Sequence, residues 1–483
     1  MMNYIVSAII DFIDDSSESA IDIHRSARQI LDKYELNLAG LTAIGADNAN
    51  VNMGEYHSVF ALFRDEKPTL LKGSCYSHIL HNSVKHAHKL LSIDIEKHLL
   101  KIYAHFSRSA KRIAELKSYY EFYEQDYMVI LKYINIRWLS LYISIQRLLM
   151  VFNPVKDYFL SRDDDCPEEL KVLFSSEEGH CILSFLEHIL YIIQKANLKL
   201  QRRYLAAVSL HQIIIDLKFN LQQRLNSSFF GISCRLKLSR LDTESAQQLK
   251  FLFARFIERV IEYIDEYYLL KKYEAISPFG LSTINEITWN NVTKCIELFQ
   301  IKNLNEDNLF NEFTEIQCVF ISMQNKNISL YEQVQSYVEK KSNPNTYLAT
   351  STKSSLDKRT EVKEDNDDDS NEDSIVSKEI RSDHLWAMLL SIKPSPNLHK
   401  FISFLFSIPC SNAHVESVFS TMKHLYDDQR NRMSTDLIAA ELKIRLNSSL
   451  SCTQVYDSFL SKPDLVKLIY SSEKYCIKKQ RII

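Results

Sequence analysis

Glycine constrains this chain more than any other residue type. Only seven occur in 483 residues, and four of them (Gly40, Gly45, Gly54 and Gly73) fall between positions 40 and 73. Glycine serves positive-φ turns and tight strand connections. Strands and tight turns are therefore expected near the N-terminus, and helix over most of the remainder. With 46% hydrophobic residues the chain has ample material for a core, and its length favours two or three domains.

The local patterns agree with that division. The apolar run Tyr4–Phe12 reads as a buried strand, and residues 18–36 have helical spacing with Ile23, Ala27, Ile30 and Leu31 on one face. A second short run, Leu41–Asp47, ends at an aspartate and at Asn48, Asn50 and Asn52. A helix over 54–65, a segment at Leu70–Cys75 and a helix past Leu91 follow. The order strand, helix, strand, helix, strand, helix predicts an α/β layer with parallel pairing. From about 95 to 340 nearly every segment, such as 142–152, 183–195 and 251–270, has the periodicity of packed helices.

Residues 340–378 have little to bury and are rich in Ser, Asn and Asp, the composition of a disordered linker. Asp365–Asp373 looks superficially like a calcium loop. Its sixth position is Ser370 where glycine is needed, and its twelfth is Val376 where glutamate is needed, so no calcium site is expected. Helices are expected again at 384–392, 398–407 and 413–426, and from an N-cap at Ser434 to about 446.

The charge balance is close to even, with a net charge of -3, so a role with nucleic acid needs a local basic face. Lys101, His105, Arg108, Lys111, Arg112 and Lys117 form one basic stretch, Lys199, Arg202 and Arg203 another. Solvated helix faces produce such clusters more often than phosphate contacts do. The tail residues Lys474, Lys478, Lys479 and Arg481 fit a weak nuclear-import signal. The nine cysteines are odd in number and contain no Cys-x-x-Cys pair, which predicts reduced thiols. Asp11 interrupts the N-terminal apolar run, and no run reaches about 18 apolar residues, so neither a signal peptide nor a membrane span is expected.

Four short signatures occur in a telling order. The first is Gly45-Ala46-Asp47-Asn48-Ala49-Asn50, an aspartate at a strand end. Asp-Asn sequences also make Asx turns and caps. The second is Cys75-x-x-His78-x-x-His81-Asn82-x-x-Lys85. Alone it invites a zinc reading, but a fourth ligand is not evident. The third is Arg137-Trp138-Leu139-Ser140, where Trp138 suits either base stacking or a domain junction. The fourth is Ser411-Asn412-Ala413-His414-Val415-Glu416-Ser417-Val418-Phe419-Ser420, followed by Arg430-Asn431-Arg432-Met433-Ser434.

Together, over about residues 4–150 and 384–447, these resemble the hAT superfamily of DNA transposases. The resemblance implies an α/β RNase H-like domain interrupted by a large all-α insertion, mostly helical overall. It divides the chain into a partial RNase H-like domain (1–140), an all-α insertion (141–339), an acidic linker (340–378), a C-terminal dimerisation region completing the RNase H-like domain (379–450) and a tail (451–483). It implies that Asp47 and Glu416 are catalytic, metal-binding acids, with Mg²⁺ or Mn²⁺ as cofactor if the site is active, and that His78 lies near the scissile phosphate. Two carboxylates of this kind would hold ions roughly 4 Å apart. Arg137 and Trp138, with Lys111 and Arg112 from the basic stretch, are the expected DNA contacts. Phe419, Ile438, Leu442 and Leu446 are the expected contacts of a homodimer or higher homo-oligomer. Neither a membrane nor a small-molecule substrate is expected.

The pattern also departs from the family. The segment resembling Tyr4–Phe12 is preceded in the family by a strand carrying the first catalytic aspartate, so an N-terminally truncated chain without that acid is expected. Ser417 stands where the family has arginine, and the paired Cys and His of the family's zinc finger are not found. The reading favoured by the sequence is a transposase-derived nuclear protein, catalytically impaired, that self-associates and has DNA as a further partner. Two alternatives stay open: an active transposase that cleaves and transfers DNA strands, and an interaction scaffold that does not bind DNA.

Overall fold

The computed structural model describes residues 8–13, 17–133, 140–162, 166–202, 204–268, 270–342, 379–425, 434–447, 452–464 and 467. Most of the expected linker (343–378), together with Arg137 and Trp138, lies outside the described residues. The chain divides into two compact units. Residues 17–414 belong to the first, and residues 7–16 and 415–483 to the second.

The first unit begins with a small α/β layer. Ser19 caps the helix Ala20–Lys33 by accepting the Asp22 amide, and the polar Asn37 and Lys67 bracket the turn into the sheet. Strand β1, Ala43–Ala46, pairs in parallel with β2, Leu71–Ser74, in the register Gly45 to Gly73. Between them run the short helix Asn50–Met53 and the helix Val59–Glu66, whose Ser58 cap accepts the Ala61 amide at 3.0 Å. Met53, Val59, Phe60, Phe63 and Leu70 form this layer's own core, with Ile23, Ala27 and Leu31 packed against it from the first helix. This is the predicted strand–helix–strand crossover, in two strands among the described residues.

The expected strand at 4–12 is corrected where it is described. Residues 8–13 are irregular and belong to the second unit. The side-chain amide of Asn447 takes both backbone groups of Ile9, accepting its N–H and donating to its carbonyl at 2.7 Å each, as a strand neighbour would. Ile9 and Phe12 pack on a cluster of Leu425, Ile438 and Leu442, and Asp11 pairs with Lys443 at 2.8 Å. An apolar run needs only an apolar surface and polar partners for its backbone, and helices supply both here.

Beyond residue 75 the first unit is helical. The helices Glu177–Leu200, Ala207–Ser227 and Thr243–Tyr267 are its long members, and one continuous core runs from Tyr76 to Cys410. The helices Ser382–Ile392 and Pro396–Phe406 are built into that core. Trp386 is fully buried, its indole N–H donates to the Phe279 carbonyl at 3.0 Å, and Phe279 meets Phe401 edge to face. In the second unit, Ala413–Leu425 runs on from the first, and Thr435–Asn447 starts where Ser434 accepts the Leu437 amide. No helix among the described residues is long and apolar enough to cross a membrane.

The glycines play a different part from the expected one. Among the described residues, six non-glycine residues adopt positive φ, including the helix-ending Ser228 and Gln300, whereas Gly231 is the glycine that does so. Gly45 and Gly73 serve close packing. A Cβ on either would lie within 3.0 Å of the Pro409 ring.

Candidate active site

Pro409 crosses the paired glycines, and the residues around it are thereby set beside the strand ends. The Cys410 carbonyl accepts the Tyr76 amide at 3.0 Å. The Cys75 sulfur accepts the Asn412 amide at 3.1 Å, and the hydroxyls of Ser77 and Ser411 lie 3.4 Å apart. The start of the fourth signature is thus fastened to the second, 337 residues away in sequence.

The first signature is fastened to the same place. Asn48 bridges both backbone groups of Cys75, accepting its N–H at 3.2 Å and donating to its carbonyl at 3.0 Å. Asp47 makes the Asx turn that its sequence allowed. One carboxylate oxygen accepts the Ala49 amide at 3.3 Å and the Asn52 side-chain amide at 2.7 Å. Cys75 begins the helix Tyr76–His88, which places half-buried His78 one turn along it. Burial pushes the His78 pKa below the ordinary histidine value, and the nearby Asp47 charge acts against that shift. Beneath lie Tyr76, Tyr268 and Tyr273, packed edge to face or stacked. Burial also raises the Cys410 thiol, so Cys75 and Cys410 sit there as packed thiols. Sequence reasoning did not select Asn48, Pro409, Cys410, Ser411 or Asn412 as site residues. Asn48, Ser411 and Asn412 lie inside the first and fourth signatures.

Glu416 stands exposed in the first turn of Ala413–Leu425, in the second unit. Among the described residues no three of His, Cys, Asp and Glu come together as a group able to hold a metal ion. Asp47 already has one oxygen committed to its turn. The donor set around it in the first unit, an amide, a thiol and an imidazole, does not fit the pair of hard divalent ions that the resemblance implies.

The expected basic stretch is two helices, Ile95–Ser107 and Ala110–Phe122, with Ser109 capping the second. Several of its charges have internal partners. Lys101 pairs with Glu169, Arg112 donates to the His105 carbonyl at 3.1 Å, and His105 meets the Tyr158 hydroxyl at 2.9 Å. Lys111 is exposed, 4.0 Å from Glu115.

Residues 363–447 match the family model of the hAT family C-terminal dimerisation region. Residues 363–447 are therefore a region of the hAT dimerisation type. No curated protein matches the chain. The matched segment divides between the two units, with Ser382–Ile392 and Pro396–Phe406 in the core of the first and Thr435–Asn447 in the second. Of the residues named for self-association, Ile438 and Leu442 are buried in the second unit's own core, Leu446 packs beside them, and Phe419 is exposed.

Proposed function

We propose that this hAT-derived protein works in the nucleus as a self-associating DNA-binding protein that does not cut DNA. The match of residues 363–447 to the hAT dimerisation region supports this origin and the self-association. The parallel β1–β2 pair and its crossover helices are read as part of an RNase H-like layer. The observation that carries the loss of cleavage is the state of Asp47. Its carboxylate closes an Asx turn onto Ala49 and Asn52, and its neighbours Asn48, Cys75 and His78 are a poor set for hard cations. Two-metal cleavage needs several carboxylates converging on both ions, and that convergence is what the proposal takes to be lost.

Supercoiled and hairpin DNA incubated with the full chain and Mg²⁺ or Mn²⁺ test this directly, with Asp47→Ala and Glu416→Ala in parallel. No nicking above background is expected from the wild type. Cleavage that both substitutions abolish would establish a working site at Asp47 and Glu416 and overturn the proposal. For DNA binding, affinity should fall steeply with salt, and Lys111→Glu should weaken it. A fluorescent fusion should collect in the nucleus.

A further inference from the structure

Cys181 and Cys234 meet in the core of the helical body. Cys181 lies on the helix Glu177–Leu200 and Cys234 on the short helix Ile232–Leu238, and both are fully buried. Their sulfurs are 3.6 Å apart, and the Cys181 thiol also reaches the Cys234 carbonyl at 3.8 Å. Closing the contact to a disulfide takes a shift of about 1.5 Å. The hydrogen bond with Cys181, and then burial, push the Cys234 thiol far above its ordinary pKa. A protonated thiol is a poor nucleophile, so the pair is inert while the short helix is seated.

That seat is slight. Of the residues of Ile232–Leu238, Cys234 and Leu238 are buried, one turn apart, while Ile232 is 63% exposed and Leu236 is 56% exposed. The helix also starts at Gly231, whose φ of 104° only glycine adopts freely. An element held by two side chains opens locally at far less cost than global unfolding. Once it opens, Cys234 loses both causes of its raised pKa. Arg235 and Lys237 then flank it, and neighbouring cations favour the thiolate.

We infer that Cys181 and Cys234 are an oxidation site, a thiol pair that a peroxide converts to a disulfide when the short helix opens. The Cys234 thiolate attacks a peroxide oxygen and the O–O bond breaks. The leaving hydroxide takes up the thiol's proton as water, and Cys234 becomes a sulfenic acid. On reseating, the Cys181 sulfur attacks the Cys234 sulfur, and the hydroxyl leaves with the Cys181 proton as a second water. Each sulfur gives up one electron, and the peroxide receives both. The new bond staples Ile232–Leu238 to Glu177–Leu200 and closes a loop around the helix Ala207–Ser227. Thiol reductants reverse it. The inference does not depend on the DNA-binding reading.

The test treats the full chain with hydrogen peroxide under native conditions, blocks free thiols with N-ethylmaleimide, digests without reductant and maps linked peptides by mass spectrometry. A Cys181–Cys234 link is expected in the wild type, lost on reduction and absent from Cys181→Ser and Cys234→Ser. Leu238→Ala removes the other anchor of the short helix, so its link should form at least about 10-fold faster. Should that variant fail to fold, the wild type in urea below its unfolding transition gives the same comparison. Cys181 and Cys234 recovered as thiols in the wild type and in the loosened chain, while the exposed Cys318 is oxidised, would overturn the inference. So would links that join either cysteine to Cys75 or Cys410 instead, and a link that forms no faster in the loosened chain would remove the opening step.

Discussion

Gly73 closes directly against Pro409: a Cβ at position 73 would lie 2.5 Å from the proline ring and 2.8 Å from its carbonyl oxygen. Backbone is on one side of the contact and a rigid ring on the other, so neither yields cheaply. Gly73→Ala is expected to destabilise the first unit by about 1–3 kcal/mol, the usual range for overpacking. Gly40→Ala is the matched comparison, because nothing lies within 4 Å of its Cβ position. Chemical denaturation of both variants checks this, and equal midpoints would show that the strand ends do not depend on the proline.

Asn48 should be as sensitive for a polar reason. Its amide satisfies the N–H and the carbonyl of Cys75, and Cys75 is itself buried. Asn48→Ala removes both bonds; the Cys75 carbonyl keeps the Ile79 amide as a donor, so the main cost is the Cys75 N–H deprived of its acceptor, about 1–3 kcal/mol if it stays dry. Asn48→Asp keeps the acceptor and loses the donor, so it should fall between. Urea midpoints in the order wild type, Asp, Ala would confirm the bridge, and an unchanged Ala variant would refute it.

These two contacts show where the sequence was readable. The β1 and β2 segments, the crossover helices and the helical body follow from local periodicity, and local periodicity is visible in a single chain. The role of Gly73 was not. Its conformation is ordinary, and what requires glycine is a proline 336 residues later, a distance across which no pattern operates. The strand expected at Tyr4–Phe12 is not formed over its described residues, 8–12, for a related reason. Its apolar run is genuine, but the surface that receives Ile9 and Phe12 is made by Leu425, Ile438 and Leu442. Asp47 and Cys75 were legible as chemistry, while their partners Asn52 and Asn412 were legible only as letters within a motif.

Acid should weaken the helical body through two histidines. Burial, with Arg112 and Arg162 nearby, brings His105 from the ordinary 6.5 down to about 4. Burial, with Lys237, Lys156 and Arg240, does the same for His180, which stacks on Phe152 at 3.9 Å. In both cases the folded chain binds its proton less readily than the unfolded chain. Their contribution to stability is therefore complete above about pH 6.5 and is lost as the pH falls from there towards 4. Urea midpoints measured across that window should decline. In His180→Phe the decline should be shallower by the share of one titrating group, and an unchanged slope would show that His180 is accessible to protons when folded.

Trp386 tests whether the matched dimerisation segment is partly a piece of the first unit. It is fully buried, gives its indole N–H to the Phe279 carbonyl, and neighbours the Phe279–Phe401 contact. Trp386→Ala deletes a large core side chain and leaves that carbonyl short of a donor, which should cost about 3–5 kcal/mol. Trp386→Phe keeps most of the volume and loses the hydrogen bond, so a smaller loss is expected. If residues 379–410 belong to the core of the first unit, Trp386→Ala will lower the unfolding midpoint of the helical body as a whole, followed by far-ultraviolet circular dichroism. If they form an independent dimerisation module instead, self-association will fall while that midpoint stays where it was.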